Sequence, residues 1–243
     1  MITKTASART YVAIVGLFVL GALFAALGAW QLGRAETSRA TRTQFDAGVT
    51  DTLLAALPSS LDDAERFRKL EIGGEYIGRP QFLLDNMLHD GVAGYHVVTA
   101  LRIPGRRERV LVNRGWVRAG GDRRVLPHVE VDGAPRVVSG RLERLPRPGL
   151  RLGAEGDTGA PPGDVVVLQY PTAHGLAELL GDPVLDYQLL LDAGMPDGFV
   201  REWRAPGVAP ERHLGYAGQW LALAIGAAGA AVVMTFRTLR RKP

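Results

Sequence analysis

The sequence predicts two transmembrane helices that flank a mainly antiparallel β (α+β) extramembrane domain, folded as a sandwich or a partly open barrel. Two apolar stretches without Asp, Glu, Lys or Arg, residues 11–30 and 213–236, predict the helices. Both are long enough to span, because a hydrocarbon layer of about 30 Å takes roughly 20 helical residues. Between them, short runs of alternating or β-branched residues indicate strands.

The first apolar stretch is interpreted as an uncleaved signal anchor. A cleaved signal peptide is the alternative, because Lys4 and Arg9 precede the stretch and Ala26-Leu27-Gly28 resembles a cleavage site. The stretch is longer than the roughly 7 to 15 residues of a signal-peptide core, and Trp30 is typical of an interfacial anchor. These two features favour the anchor.

The charge distribution predicts the topology. Residues 237–243 form a basic tail, which places the C-terminus in the cytoplasm and, with two spans, residues 1–10 beside it. Residues 31–212 then lie on the other face, in the periplasm or the intermembrane space. Arg34, Arg39 and Arg42 oppose this locally, but a long domain is translocated largely regardless of charge.

The net charge of +4 does not indicate a nucleic-acid partner. All 25 acidic residues lie between the apolar stretches beside 23 Arg and Lys, so this segment is near −2. The basic excess is therefore juxtamembrane and reports topology.

Small residues at four-residue spacing mark a candidate packing face on each span. The faces are Gly21, Ala25, Ala29 in the first and Ala222, Gly226, Ala230 in the second. Small side chains let helix backbones approach closely, so direct pairing of the spans is one interpretation. The alternative is that Ala and Gly are simply abundant in this chain.

Seven strands are predicted in the central domain, separated by Gly- and Pro-containing turns that favour antiparallel pairing. They are Leu70–Ile77, Gln81–Leu84, Tyr95–Ile103, Arg109–Val117, Arg136–Arg144, Val165–Gln169 and Tyr187–Leu191. Residues 31–45 are expected to continue the first helix. Residues 172–180 are expected to form a short helix with Thr172 as its cap and Gly181 at its stop, and residues 153–163 to form a loop.

The residue inventory predicts that the protein is not an enzyme. Without Cys there is no thiol nucleophile, zinc ribbon or disulfide, and no nucleophile elbow, phosphate loop or dinucleotide fingerprint occurs. No two of the five His stand three or four residues apart, so no helical metal pair exists. A membrane-anchored hydrolase would need a nucleophile and base that the sequence does not reveal.

His213 lies where the chain enters the second span, close to Tyr216 and Trp220. One interpretation is an interfacial or capping His among the usual aromatic residues of a membrane boundary. The other is an axial haem ligand, because neutral imidazole binds haem iron and flanking aromatic residues and Gly offer a flat surface.

The step Arg114-Gly115-Trp116 ends a predicted strand and also has two interpretations. It is either a strand end held by a buried Trp, with Arg114 paired to a carboxylate, or a binding edge that faces a partner. Gly115 allows close backbone approach in both cases.

Five blocks resemble the Surfeit locus protein one family, also called the Shy family, of cytochrome c oxidase assembly factors. They are Leu27-Gly-Ala-Trp-Gln-Leu-Gly-Arg34, Gly74-Glu-Tyr76, Gly94-Tyr-His-Val-Val-Thr99, Val110-Leu-Val-Asn-Arg-Gly-Trp-Val117 and His213-Leu-Gly-Tyr-Ala-Gly-Gln-Trp220. Their order and the two-span layout also agree with the family. Ala100 and Gly218 depart from its usual pattern, and residues 144–163 match no part of it.

The resemblance implies a non-enzymatic factor of the inner membrane that aids haem a insertion or stabilises the oxidase catalytic subunit during maturation. It implies transient haem a on His213, with the catalytic subunit and other oxidase assembly factors as partners. Copper delivery fits less well, because Cys is absent and the four Met are scattered. A scaffold of another envelope complex is the alternative function.

Overall fold

The computed structural model describes residues 8–48, 52–146 and 164–240. Within these ranges the chain divides into two compact units. The helical unit comprises residues up to Thr43 together with those from Ala205 onward, and the β-domain is Gln44–Arg204. Residues 153–163, expected to be a loop, lie outside the described residues.

Helix α1 (Ala8–Ala47) confirms that the first span continues without a break into residues 31–45. Helix α3 (Pro210–Leu239) contains the second apolar stretch. Both helices are long and apolar enough to cross a membrane. Large apolar side chains on both are exposed, including Val12 at 71% and Ile225 at 74%, as expected for faces that contact lipid.

The two helices pack antiparallel through small residues. A Cβ added to Gly21 would lie 3.5 Å from the carbonyl oxygen of Ala224, and one added to Gly28 would lie 3.0 Å from the Leu221 side chain. The rings of Phe24 and Trp220 stack, with centroids 5.6 Å apart. Direct pairing of the spans is therefore the interpretation that holds.

The packing seam differs from the predicted faces. Buried positions recur every seven residues, at Ile14, Gly21, Gly28 and Ala35 on α1 and at Ala217, Ala224, Ala231 and Thr238 on α3. Of the predicted faces, Gly21 belongs to the seam, whereas Ala25, Ala29, Ala222, Gly226 and Ala230 are exposed. A seven-residue repeat keeps one stripe against a neighbouring helix, and a strict four-residue spacing drifts off that stripe.

The β-domain confirms all seven predicted strands. They are β1 (Lys69–Tyr76), β2 (Gln81–His89), β3 (Val92–Arg102), β4 (Arg109–Arg118), β5 (Pro135–Arg144), β6 (Val165–Leu168) and β7 (Val184–Leu191). Strand β2 runs five residues past its predicted end at Leu84 because a bulge, with Asn86 at φ 60°, interrupts the alternation that marks a strand.

The strands form one sheet in the order β1-β5-β7-β4-β3-β2-β6. An additional pairing of β1 with β3 closes five of them into a barrel, and β2 and β6 extend the sheet beyond it. Five pairings are antiparallel, and β2–β6 and β4–β7 are parallel. The predicted mainly antiparallel domain is confirmed; of the two predicted architectures, sandwich and partly open barrel, the structure has the barrel, and it is closed.

Buried apolar side chains fill the barrel, among them Leu101, Val112, Leu142, Tyr187 and Leu189. A second cluster lies between the β2–β6 extension and helix α2 (Ala173–Leu180), which buries Leu176.

Helix α2 begins and ends as predicted. The Thr172 hydroxyl accepts from the Gly175 N–H at 3.1 Å, and Gly181 ends the helix in the left-handed conformation at φ 72°.

Candidate functional site

His213 lies in the first turn of α3, which begins at Pro210. Its ring is partly exposed, and Nδ1 lies 2.8 Å from Oε1 of Gln31 on α1. An amide oxygen only accepts, so the contact is a hydrogen bond when Nδ1 carries the proton. Nε2 then has a free lone pair, and no described residue bonds to it. A ring held in this tautomer is the usual state of a metal-binding His.

A cavity of about 100 Å³ adjoins His213 within the helical unit. Its lining includes Arg34 and three hydroxyl side chains of α1, Thr37, Ser38 and Thr41, together with the residues before α3. A ligand pocket for a drug-sized molecule usually has about 300 to 1,000 Å³. This cavity therefore has room for a small polar group but not for a whole porphyrin.

The two aromatic residues predicted beside His213 differ in their surroundings. Tyr216, one helical turn further along α3, is 52% exposed. Trp220 is only partly exposed because its ring stacks on Phe24. His213 and Tyr216 are thus the predicted cofactor residues that present free surface, whereas Trp220 belongs to the packing of the helix pair.

The structure buries the Arg114-Gly115-Trp116 step in the β-domain. Arg114 is 2% exposed, and its Nε donates to the backbone oxygen of Asp197 at 2.7 Å. Its Nη1 donates to the backbone oxygen of Val129 at 2.8 Å and reaches Gln81 Oε1 and Thr99 Oγ1 at 3.3 Å. The hydrogen-bond acceptors are neutral oxygens rather than the carboxylate considered from the sequence.

Aromatic rings enclose the same guanidinium. Its Cζ lies 5.2 Å from the ring centroid of Phe199 and 5.7 Å from that of Tyr76. Burial lowers the pKa of Arg114 and raises the pKa of Tyr76 to about 12, so Tyr76 remains a neutral phenol. A guanidinium in this position joins strands through hydrogen bonds and has no exposed surface with which to contact a partner.

Two motif glycines allow the chain to pack around Trp116. Gly115 has φ 111°, and an added Cβ would lie 2.5 Å from the Val200 carbonyl oxygen. This close approach lets Val200 pair with Trp116 as a β-bridge. A Cβ on Gly94 would lie 2.4 Å from the Trp116 indole, whose Nε1 donates to Met87 O at 2.9 Å. The block therefore matches the interpretation of a strand end held by a buried Trp.

His96 is an internal structural residue. Its Nδ1 lies 3.2 Å from Nδ2 of Asn113, and that amide also donates to Gln188 Oε1 at 3.0 Å. Burial, with a smaller electrostatic contribution from His89, lowers the pKa of His96 to about 4. The ring is therefore neutral at pH 7.

The structure also brings together His89, Asp90 and Glu202, whose ligand-type atoms lie within 4.8 Å of one another. The sequence contains no signal for this group, because Glu202 lies far from the other two along the chain. Arg204 already contacts both carboxylates, at 3.2 Å and 3.4 Å. A cation is thus supplied by the protein itself, and we assign no metal to this group.

Comparison with known proteins places these motifs in a family. The family model described as the SURF1 family matches residues 18–225, which is most of the chain and includes all of the β-domain. A search of curated proteins finds no match. The chain therefore belongs to the SURF1 family, a family of cytochrome oxidase assembly factors.

Proposed function

We propose that this protein is a non-enzymatic factor that presents haem a to the catalytic subunit of cytochrome c oxidase during assembly, through His213. The observation that carries the proposal is the contact between His213 Nδ1 and Gln31 Oε1. It fixes the orientation of the imidazole and leaves Nε2 open, and a ring nitrogen of His is the donor that haem iron takes.

The residues around His213 fit a cargo that must be released. Gln31 fixes the tautomer, and the exposed ring of Tyr216 offers an aromatic surface one helical turn away. His213 is the one His among the described residues of the helical unit. One protein ligand holds haem less tightly than two, so the cargo could pass to the oxidase subunit.

The proposed location is the inner membrane, with both termini in the cytoplasm. Antiparallel packing of α1 and α3 supports termini on one side, and the basic residues of the C-terminal tail support the cytoplasmic side. The β-domain would then face the periplasm or intermembrane space. Its partners there would be the oxidase catalytic subunit and other oxidase assembly factors.

The test is haem binding by the purified full-length chain in detergent. His213→Ala should abolish the Soret band that wild type acquires with haem a, because the iron loses its only protein ligand. Gln31→Leu should weaken binding by about 10- to 100-fold, as expected when the partner that orients a ligand is removed. His174→Ala is the matched control, because that side chain is 87% exposed and lies in the β-domain.

Two results would count against the proposal. An unchanged Soret band in His213→Ala would place the haem elsewhere. Absence of haem from the wild-type protein would remove the cargo and leave a scaffolding role in oxidase assembly.

A further inference from the structure

The cavity beside His213 has a positively charged lining. Arg34 is exposed and makes no ion pair with any residue that the structure describes. Among the residues that the structure describes, no acidic side chain lines the cavity. A guanidinium carries up to five donors in a fork that matches phosphate or carboxylate oxygens. The cavity therefore suits an oxyanion.

The three hydroxyl groups of the lining restrict which hydrogen-bonding groups the ligand can carry. Ser38 donates to the Val208 backbone oxygen at 2.6 Å, Thr37 to that of Gly33 at 3.1 Å and Thr41 to that of Thr37 at 3.0 Å. Since each hydroxyl hydrogen is already used, these oxygens can only accept. The ligand should therefore carry hydroxyl donors of its own beside the anionic group.

The position of the cavity points to a lipid. Arg34 is the first charged residue after the apolar part of α1, and Trp30 and Leu32 just before it are 59% and 45% exposed. On α3, Leu214 and Tyr216 are exposed at the corresponding end of the second span. Exposed aromatic and apolar residues beside the first cation are typical of the headgroup layer.

We propose that this cavity binds the phosphoglycerol headgroup of an anionic phospholipid. Arg34 would bind the phosphate, and the hydroxyl oxygens of Thr37, Ser38 and Thr41 would accept from the glycerol hydroxyls. The volume of about 100 Å³ admits a small headgroup. A choline or ethanolamine headgroup fits poorly, because its cation would meet Arg34 and no carboxylate. The site does not depend on haem.

Native mass spectrometry of the full chain, released from nanodiscs of mixed phosphatidylglycerol and phosphatidylcholine without haem, tests the proposal. Wild type should retain phosphatidylglycerol selectively. Arg34→Gln should lower that retention about tenfold or more, because charge-assisted hydrogen bonds to phosphate are lost. Arg42→Gln should leave it unchanged, because Arg42 is also exposed and unpaired among the described residues of α1 but does not line the cavity.

A second comparison separates the glycerol from the phosphate. Ser38→Ala should reduce retention of phosphatidylglycerol more than retention of phosphatidic acid, which lacks the glycerol hydroxyls. Equal retention by wild type and Arg34→Gln would overturn the site. Binding of free glycerol phosphate to detergent-solubilised protein as tightly as the lipid would overturn the lipid assignment. Haem binding is measured separately, so neither proposal's failure can be mistaken for the other's.

Discussion

The β-domain and the helical unit use their polar motif residues in opposite ways. In the β-domain, Arg114 has hydrogen-bond partners on several elements and His96 is paired with Asn113. In the helical unit, His213 uses one ring nitrogen and Arg34 has no ion pair among the described residues. Polar groups with unused hydrogen-bonding capacity are the ones that can bind a ligand. The motif residues of the β-domain therefore serve folding, whereas those of the helical unit keep the hydrogen-bonding capacity that the proposed binding requires.

The largest effect that would test this contrast is the loss of Trp116. Trp116→Ala should lower the free energy of unfolding of the β-domain by about 3 to 5 kcal/mol, the usual cost of truncating a buried aromatic residue. The measurement is urea unfolding of the full chain in detergent, followed by near-UV circular dichroism. Trp30→Ala removes a 59% exposed indole of the helical unit and should leave the transition unchanged. Equal effects of the two variants would contradict the assignment.

Removal of Arg114 should have the next largest effect. Arg114→Leu leaves the buried backbone oxygen of Val129 and the part-buried backbone oxygen of Asp197 without this donor, which should lower stability by about 2 to 3 kcal/mol. Arg124→Leu removes an exposed ion pair with Asp122 and should leave stability nearly unchanged. A stable Arg114→Leu protein that fails only in oxidase assembly would contradict this assignment and indicate that Arg114 contacts a partner.

The smallest expected effect is a pH dependence from His96. Its folded pKa of about 4 lies below the ordinary 6.5, so the unfolded chain takes up a proton first as pH falls. The β-domain should therefore keep its full stability above pH 6.5 and lose about 1 kcal/mol by pH 5.5. His96→Gln should remove this part of the pH dependence, and the exposed His174→Gln should not. Parallel profiles for wild type and His96→Gln would show that His96 titrates normally.

Local patterns allowed the strands and the short helix to be predicted from the sequence. Alternation and turn residues suffice for β1 to β7, and Thr172 and Gly181 carry the chemistry of helix ends. Strand order was not predictable, because barrel closure by β1 and β3 depends on contacts between distant segments. The packing seam of the two helices was not predicted, because small residues occur on several faces of each helix. Which of these faces is buried depends on how the helices pack, and the buried face follows the seven-residue repeat.

The candidate site was predictable only in part. His213 was identified from its place before the second span, but its hydrogen bond to Gln31 joins residues 182 positions apart and leaves no local signal. The same holds for Gly94, which packs against Trp116 of the next strand, and for Gly115, which packs against Val200 from a distant segment of the chain. The sequence left open whether Arg114 was buried or exposed, since Arg next to Gly and Trp is compatible with both.

The place of β7 in the barrel has a consequence for biogenesis. It is the last strand of the domain, yet it lies between β4 and β5. Until residues 184–191 have been synthesised, β4 and β5 each present an unpaired edge, and such edges recruit other chains. Assembly of the barrel therefore depends on contacts distant in sequence, which slow folding. The barrel cannot close before β7 is available, so chains that end before residue 184 should be targets for proteolysis.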